Sequence, residues 1–224
     1  MDLKGSPISL TKTIEAVYEA PVALMDVKDN TQALATLKKD QLRLNIGCDR
    51  QEIAGFTGVD FNPEVDPDIL AEADNLHMIG DDTVDEIYAS QVLEHLPYGN
   101  KALEEWLRVL KPGGMLTVIV PDLYGVYRLS KHHSTWGPYN LPVTELYVNA
   151  CVFGAYYLKD AIPEMKDMYG GPGHIHKQIF IEDMLYKRVV AAGYVNVRES
   201  PDTFLGPLGV GDTCVVGYKA KEGE

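Results

Sequence analysis

The chain is short of positive charge. Its 224 residues include 20 Lys and Arg against 33 Asp and Glu, which gives a formal net charge of −13. An acidic surface repels a phosphate backbone, and no local cluster of Lys and Arg offsets that repulsion. Nucleic acid is therefore not expected as a partner.

Cysteines and long apolar runs are also scarce. Cys48, Cys151 and Cys214 are odd in number and widely spaced, so they form neither a disulfide framework nor a metal-binding pattern. No apolar run approaches the roughly 20 residues of a membrane-spanning helix. The first residues lack the apolar core of a secretory signal. These absences favour a cytoplasmic protein with no membrane partner.

Alternating strand and helix patterns fill residues 41–122. A strand over 42–46 stops at Gly47, and a second short strand over 55–60 ends in the carboxylate of Asp60. Further strands are predicted over 85–90 and 115–122, and the apolar stripe of 100–110 predicts a core-facing helix. Strands that alternate with helices indicate an α/β fold with a parallel sheet, whose carboxyl ends form a ligand crevice.

The remainder of the chain has a different character. Residues 1–40 are predicted to be an N-terminal helical extension, and residues 41–224 a single domain. Residues 123–180 are rich in Tyr, His, Pro and Gly and are interpreted as irregular. A helix is predicted over 181–192, followed by two strands over 194–198 and 213–218. No long crossover separates those strands, so they suggest an antiparallel hairpin.

Three motifs carry a resemblance to a known family. They are LNIGC at 44–48, VLEHL at 92–96 with LKPGG at 110–114 behind it, and His176-Lys177 upstream of AGY at 192–194. In this order and spacing they resemble the class I S-adenosylmethionine-dependent methyltransferases. The likeness is to a compact, methyltransferase-11-like branch that is often associated with polysaccharide or small-molecule biosynthesis, and it spans roughly residues 42–218. It implies a Rossmann-like, seven-stranded, mostly parallel sheet with helices on both faces, an antiparallel C-terminal hairpin, and an acceptor-pocket insert at about 123–180.

The cofactor implied by the resemblance is S-adenosylmethionine. Gly47 lets the backbone approach the ligand closely, and the carboxylate of Asp60 can accept both ribose hydroxyls. The resemblance further implies that the segment after strand three recognises the adenine and that the residues after strand four line the sulfonium end. The residues expected to bind the cofactor are Asn45, Gly47, Cys48, Asp60, Phe61, Asp74, Asn75, Ser90 and Gln91. Asp49 departs from the family, which usually has another glycine there, and it puts a carboxylate near the cofactor's amino-acid tail.

Histidines are the candidate catalytic residues. His174 and His176 flank one residue, so on an extended segment their imidazoles point the same way. A metal would need further ligands, and the available ones are distant in the sequence, so no metal is expected. A neutral imidazole can instead remove a hydroxyl proton. His176 is the preferred catalytic residue, then His174 and His95, whereas Glu94 is interpreted as fixing the loop after strand four or capping the next helix.

The sequence therefore predicts a methyltransferase that acts on a small-molecule or saccharide acceptor, most simply at oxygen. A homodimer is left open. Two alternatives remain at this point. Asp49 motivates a non-catalytic scaffold that keeps the fold, and the Tyr127-x-x-x-Lys131 spacing matches that of nicotinamide-dependent reductases and epimerases.

Overall fold

The structure is a computed structural model that describes residues 41–132, 135–136, 141–142, 175–203, 206–207 and 211–223. Its main feature is a seven-stranded sheet in the order β3-β2-β1-β4-β5-β11-β8. The strands of this sheet are β1 (Arg43–Ile46), β2 (Thr57–Asp60), β3 (Ile69–Leu70), β4 (Val84–Ser90), β5 (Leu110–Pro121), β8 (Val195–Glu199) and β11 (Asp212–Tyr218). Two short pairs, β6 (Thr135–Trp136) with β7 (Leu141–Pro142) and β9 (Asp202–Thr203) with β10 (Gly206–Pro207), lie outside it.

The direction of the strands confirms the predicted fold. β3, β2, β1, β4 and β5 pair in parallel. β11 pairs antiparallel with both β5 and β8, which forms the C-terminal hairpin. The carboxyl ends of β1, β2, β4 and β5 therefore meet at one edge, where a doubly wound sheet binds its ligands.

Helices pack their apolar faces on this sheet. The described helices are α1 (Gly99–Val109), α2 (Leu123–His132) and α3 (Met184–Ala191), with short 3-10 turns at Pro63–Val65 and Leu93–His95. In α1, Leu103 and Trp106 are fully buried, as the predicted stripe requires. The indole nitrogen of Trp106 donates to the carbonyl of Ala73 at 2.7 Å, so its one polar atom is satisfied inside the core.

The LKPGG segment has a different structure from the simple turn that its composition favours. α1 does end before it, but β5 already begins at Leu110. The register against β4 shifts between Val84 and Glu86, which pair with Leu110 and Met115. The segment is thus an outward bulge in β5, and Gly113 reaches a φ of 82° within it.

Residues 123–180 are not irregular throughout, because α2 occupies Leu123–His132. Asp122 begins this helix, since its carboxylate accepts the backbone N–H groups of Tyr124 and Gly125 at 3.2 and 2.9 Å. Gly125 lowers the helix propensity of this segment, so the sequence pattern did not predict the helix. A Cβ at this position would lie 2.6 Å from the Cα of Gly211, so the glycine serves a close packing contact.

No helix among the described residues is long and apolar enough to cross a membrane. The predicted N-terminal extension and most of the predicted insert lie outside the described residues.

Candidate functional site

The turn after β1 requires glycine for two reasons. Gly47 has a φ of 66°, which L side chains rarely adopt, and a Cβ there would lie 2.3 Å from Cγ2 of Val92. The backbone N–H groups of Gly47 and Cys48 both donate to the carbonyl of Val59, at 2.8 and 3.1 Å. These bonds hold the turn against the end of β2.

Asp60 joins the same turn through its side chain. Its buried carboxylate accepts the backbone N–H of Asp49 at 3.0 Å on one oxygen and that of Asn62 at 2.9 Å on the other. A carboxylate has about four lone-pair sites, so each oxygen retains capacity for another donor. The structure therefore brings the Gly47 turn and Asp60 together. The two backbone N–H groups hold the carboxylate of Asp60 in place without a ligand.

This arrangement fits a ribose diol. Two hydroxyls can donate to the remaining lone pairs of Asp60. The chemistry of these donors and acceptors accordingly suits the nucleoside part of S-adenosylmethionine.

Other predicted cofactor residues near β1 and β2 have visible structural duties. Nδ2 of Asn45 donates to the carbonyl of Gln51 at 3.1 Å, which braces the loop after β1. The Cys48 thiol packs against Gly58, where an added Cβ would lie 2.9 Å from Sγ. Burial, reinforced by the charge of Asp60, raises the pKa of Cys48 to about 12, so the thiol stays protonated. Phe61 follows Asp60 and is half exposed.

The residues proposed for the adenine end lie farther along the same edge. Asp74 forms an ion pair with Lys101 at 3.1 Å, and Oδ1 of Asn75 lies 3.2 Å from Nδ1 of His77. Asp74 is partly buried and Asn75 is exposed.

After β4, Gln91 adopts a φ of 59°, and its side chain donates to Asp212 at 3.2 Å. Ser90, just before it, hydrogen-bonds the side chain of Tyr88. Both residues sit at the carboxyl end of β4, as predicted, but Gln91 extends towards the start of β11.

Asp49 is compatible with the turn after β1, although the resembled family usually has glycine at this position. It takes up a φ of 45°, which Asp tolerates better than most residues, and its side chain is exposed. Its backbone N–H makes the bond to Asp60 described above. The substitution therefore leaves the turn intact.

Glu94 is the residue that the sequence interpretation misjudged. Its side chain is 1% exposed, and neither carboxylate oxygen has a hydrogen-bond partner among the described residues. Burial raises the pKa of this carboxyl to about 8. The backbone carbonyl of Glu94, not its side chain, fixes the local loop, because it accepts the N–H groups of Lys177 and Gln178 at 2.7 and 3.1 Å.

Segment 175–180 is fastened between the ends of β4 and β5. On one side, Nε2 of Gln178 donates to the carbonyls of Leu93 and Leu96. On the other side, Phe180 forms a parallel bridge with Asp122 and accepts the N–H of Leu123 at 3.0 Å. This segment carries His176 to the buried carboxylate.

Glu94, His95 and His176 consequently form one cluster. Nε2 of His95 and Nε2 of His176 each lie 3.9 Å from Oε1 of Glu94, and the two rings meet edge to face with centroids 4.6 Å apart. Two of the three predicted catalytic histidines are thus brought together, and His174 lies outside the described residues. A small half-open pocket beside the cluster is lined by Glu94, Pro121, Leu123, His176, Gln178, Ile179 and Phe180.

A second acidic group stands where β5 ends and β11 begins. Burial raises the pKa of Asp212 to about 6, and the charge of Asp122 adds to the rise, although the hydrogen bond from Gln91 opposes it. No local pattern of residues predicted this pair, because Asp122 and Asp212 become neighbours through the β5–β11 pairing.

Known proteins resemble this chain in sequence and in fold. Residues 22–118 match the family model described as a methyltransferase domain. A SAM-dependent methyltransferase of Archaeoglobus fulgidus is similar in structure, with a TM-score of 0.51 and 15% identity over 84% of this chain and 90% of that one. A chain in the complex between the Trm112 methyltransferase activator and a putative methyltransferase of Haloferax volcanii has a TM-score of 0.50 and 15% identity, over 85% and 88% of the two chains. At these identities the structural matches show the fold alone. No curated protein matches the sequence.

Proposed function

We propose that this chain, which carries a class I S-adenosylmethionine-dependent methyltransferase domain, methylates a hydroxyl oxygen of a small molecule or a saccharide. The observation that carries the proposal is the cluster of a buried carboxylate and two imidazoles at the carboxyl edge of the sheet. It lies at the end of β4, next to the turn that holds Asp60, and it borders a small pocket.

The lining of the pocket supports a small acceptor. Pro121, Leu123 and Phe180 supply an apolar wall, and Glu94 and His176 supply the polar groups. A few convergent polar groups in an apolar pocket are typical of small-molecule sites. The net charge of −13 disfavours polyanionic acceptors.

We assign the first half of the reaction to cofactor-binding residues. Asp60 holds the ribose hydroxyls, and the turn at Gly47 and the residues Ser90 and Gln91 border the rest of the cofactor. Asp74 and Asn75 are the proposed contacts of the adenine. When bound, S-adenosylmethionine supplies a methyl group attached to a sulfonium sulfur. This sulfur is the leaving group and becomes a neutral thioether.

The second half of the reaction needs a group that takes the acceptor's proton. The hydroxyl oxygen forms its new bond to the methyl carbon while the carbon–sulfur bond breaks, so the hydroxyl proton must leave. We assign this proton to the imidazole of His176, with His95 beside it and His174 as the further candidate. A neutral imidazole is suited to this task near pH 7, and positioned bases contribute about 10²–10⁴-fold.

The decisive experiment identifies the class of acceptor and the atom that is methylated. Full-length protein is incubated with S-adenosylmethionine and a panel of monosaccharides, phenols, aliphatic alcohols and amines, and methylated products are identified by mass spectrometry. We expect products methylated at oxygen. Products from amines alone would contradict the assignment to oxygen.

Substitutions then test the assignment of residues. His176→Ala should retain S-adenosylhomocysteine binding in calorimetry and lower kcat by about 10²-fold or more. Tyr186→Ala, at a partly buried position on α3 outside the cluster, is the control and should keep full turnover. Unchanged kcat in His176→Ala would remove this residue from the mechanism.

The two alternatives are tested by the same preparation. The family match over residues 22–118 disfavours a nicotinamide-dependent enzyme. A non-catalytic scaffold predicts no methylated product and no rise in melting temperature with millimolar S-adenosylmethionine, because only a ligand that binds the native state stabilises it.

A further inference from the structure

The buried carboxyl group of Glu94 has acceptor capacity that the described residues leave unused. Both of its oxygens lack a hydrogen-bond partner among the described residues, although the side chain is 1% exposed. Burying a carboxylate without compensation is costly, and buried charges in proteins are paired or coordinate metals. The two imidazole nitrogens at 3.9 Å are too distant to be hydrogen-bonded to it.

The distances between these side chains are slightly longer than those between the ligands of one bound cation. One ligating atom from each of Glu94, His95 and His176 lies within 4.8 Å of the others. Ligands at 2.0–2.1 Å from a tetrahedral metal are ~3.3 Å apart, so the nitrogen–oxygen pairs at 3.9 Å need to close by roughly half an ångström. Small side-chain rotations supply a movement of that size.

One imidazole is already oriented as a ligand. Nδ1 of His95 lies 3.2 Å from the carbonyl oxygen of Ile175. A carbonyl oxygen only accepts, so Nδ1 carries the hydrogen, and in the neutral ring the lone pair is on Nε2, the nitrogen nearer to Glu94. Metal-binding histidines commonly donate their other N–H to a carbonyl or a carboxylate in this way.

The backbone around the cluster is preorganised as well. The carbonyl of Glu94 accepts two N–H groups from the segment that carries His176, and that segment is also bridged to Asp122. The three side chains are therefore presented by backbone that is held on both sides.

We propose that Glu94, His95 and His176 bind one divalent first-row transition cation, such as Mn²⁺, Fe²⁺, Co²⁺ or Zn²⁺. Two imidazole nitrogens and one carboxylate oxygen suit these ions, whereas Mg²⁺ prefers oxygen ligands. Three protein ligands leave coordination positions for water or for an oxygen of the acceptor.

The site has a consequence for the reaction, and this part rests on the proposed function. Glu94 and His176 also line the pocket, so the cation would stand at the wall where the acceptor binds. A cation lowers the pKa of a bound hydroxyl. In the metal-loaded protein Nε2 of His176 would be a ligand, which would replace the role of proton acceptor given to it above, and the hydroxyl proton would pass to solvent water.

Direct binding of Co²⁺ tests the site without reference to activity. Full-length protein is stripped with EDTA, desalted, and titrated with Co²⁺ while visible absorption and calorimetric heat are recorded. We expect one equivalent to bind, with new absorption bands in the visible region from the coordinated ion. Glu94→Gln, His95→Gln and His176→Gln should each weaken binding by at least tenfold, and His77→Gln should bind as the unaltered chain does.

Thermal melts guard against misfolded variants. Saturating Co²⁺ should raise the melting temperature of the unaltered chain by about 5 °C. Glu94→Gln without metal should melt close to the stripped protein, because glutamine has nearly the same shape as the buried carboxyl group, and Co²⁺ should no longer shift it. Equal affinity in Glu94→Gln and the unaltered chain, or no stoichiometric binding at all, would overturn the site.

The same titration separates this inference from the proposed function. Methyl transfer by stripped protein that binds no Co²⁺ would overturn the metal site and leave the methyltransferase assignment in place. Stoichiometric Co²⁺ binding that depends on all three residues would support the site even where no acceptor is methylated.

Discussion

Two buried carboxyl groups at the same edge of the sheet, those of Asp60 and Glu94, differ in their hydrogen bonding. Asp60 has a backbone N–H on each oxygen, whereas neither oxygen of Glu94 has a hydrogen-bond partner among the residues described. The half of the site around β1 and β2 is therefore complete without a ligand. The half at the ends of β4 and β5 places a carboxyl group and two imidazoles together and leaves the carboxyl oxygens without hydrogen bonds from those residues.

The largest effect is expected from a substitution in the turn after β1, which belongs to the first half of the site. Gly47→Ala adds a Cβ at a φ of 66° and 2.3 Å from Cγ2 of Val92, so we expect a loss of about 3 kcal/mol or more in unfolding free energy. Urea denaturation measures it. Gly55→Ala is the control, since Gly55 also has a positive φ but nothing lies within 4 Å of its added Cβ.

The control should lose only the backbone part of this energy, about 1 kcal/mol. Equal losses in the two variants would show that contact with Val92 does not constrain the turn.

Removal of the satisfied carboxylate should cost binding most. Asp60→Ala deprives the N–H groups of Asp49 and Asn62 of their acceptor and deletes the proposed ribose contact. We expect S-adenosylhomocysteine affinity to fall by about 100-fold, or roughly 2.7 kcal/mol, in isothermal titration calorimetry. Glu64→Gln, an exposed neighbour, should bind normally, and retention of wild-type affinity by Asp60→Ala would refute the assignment.

The second half of the site contains a carboxyl group, that of Asp212, whose pKa burial raises from 3.8 to about 6. The folded chain holds this proton over a pH range in which the unfolded chain has released it. Stability from this group is thus greatest below pH ~4 and declines as the pH rises towards ~6. Relative to Asp212→Asn, the unaltered chain should lose on the order of 2 kcal/mol across that window.

Urea denaturation of metal-stripped protein at several pH values measures the difference. The asparagine keeps an acceptor for Gln91 but does not titrate. A difference that stays constant with pH would mean that Asp212 is not destabilised by its burial.

The smallest effect is expected at the adenine end. Asp74 is paired with Lys101 at the surface, so its proposed contact competes with that ion pair. Asp74→Ala should weaken S-adenosylhomocysteine binding by about fivefold, as for one modest hydrogen bond, in the same calorimetric assay. Lys101→Met should not weaken binding, and an Asp74→Ala affinity equal to that of the unaltered chain would exclude Asp74 from the cofactor site.

Sequence reasoning succeeded where function depends on adjacent strand ends. The alternation of strands and helices predicted the sheet, and the meeting of Gly47 with Asp60 follows from the pairing of β1 with β2. It failed at Glu94, because the fate of that side chain depends on segment 175–180, which is distant in the sequence. It also failed at α2, where Gly125 resembles a helix breaker but packs against Gly211.

The tie between Glu94 and segment 175–180 also orders events during synthesis. His95 and Ile175 are 80 positions apart, and loops of that length close at an entropic cost that local contacts do not share. The Gly47–Asp60 half can pair as soon as β1 and β2 have left the ribosome, whereas the imidazole pair must await the much later segment that carries His176. Cation uptake by a nascent or truncated chain would therefore report that synthesis has passed residue 176, and cofactor affinity would not.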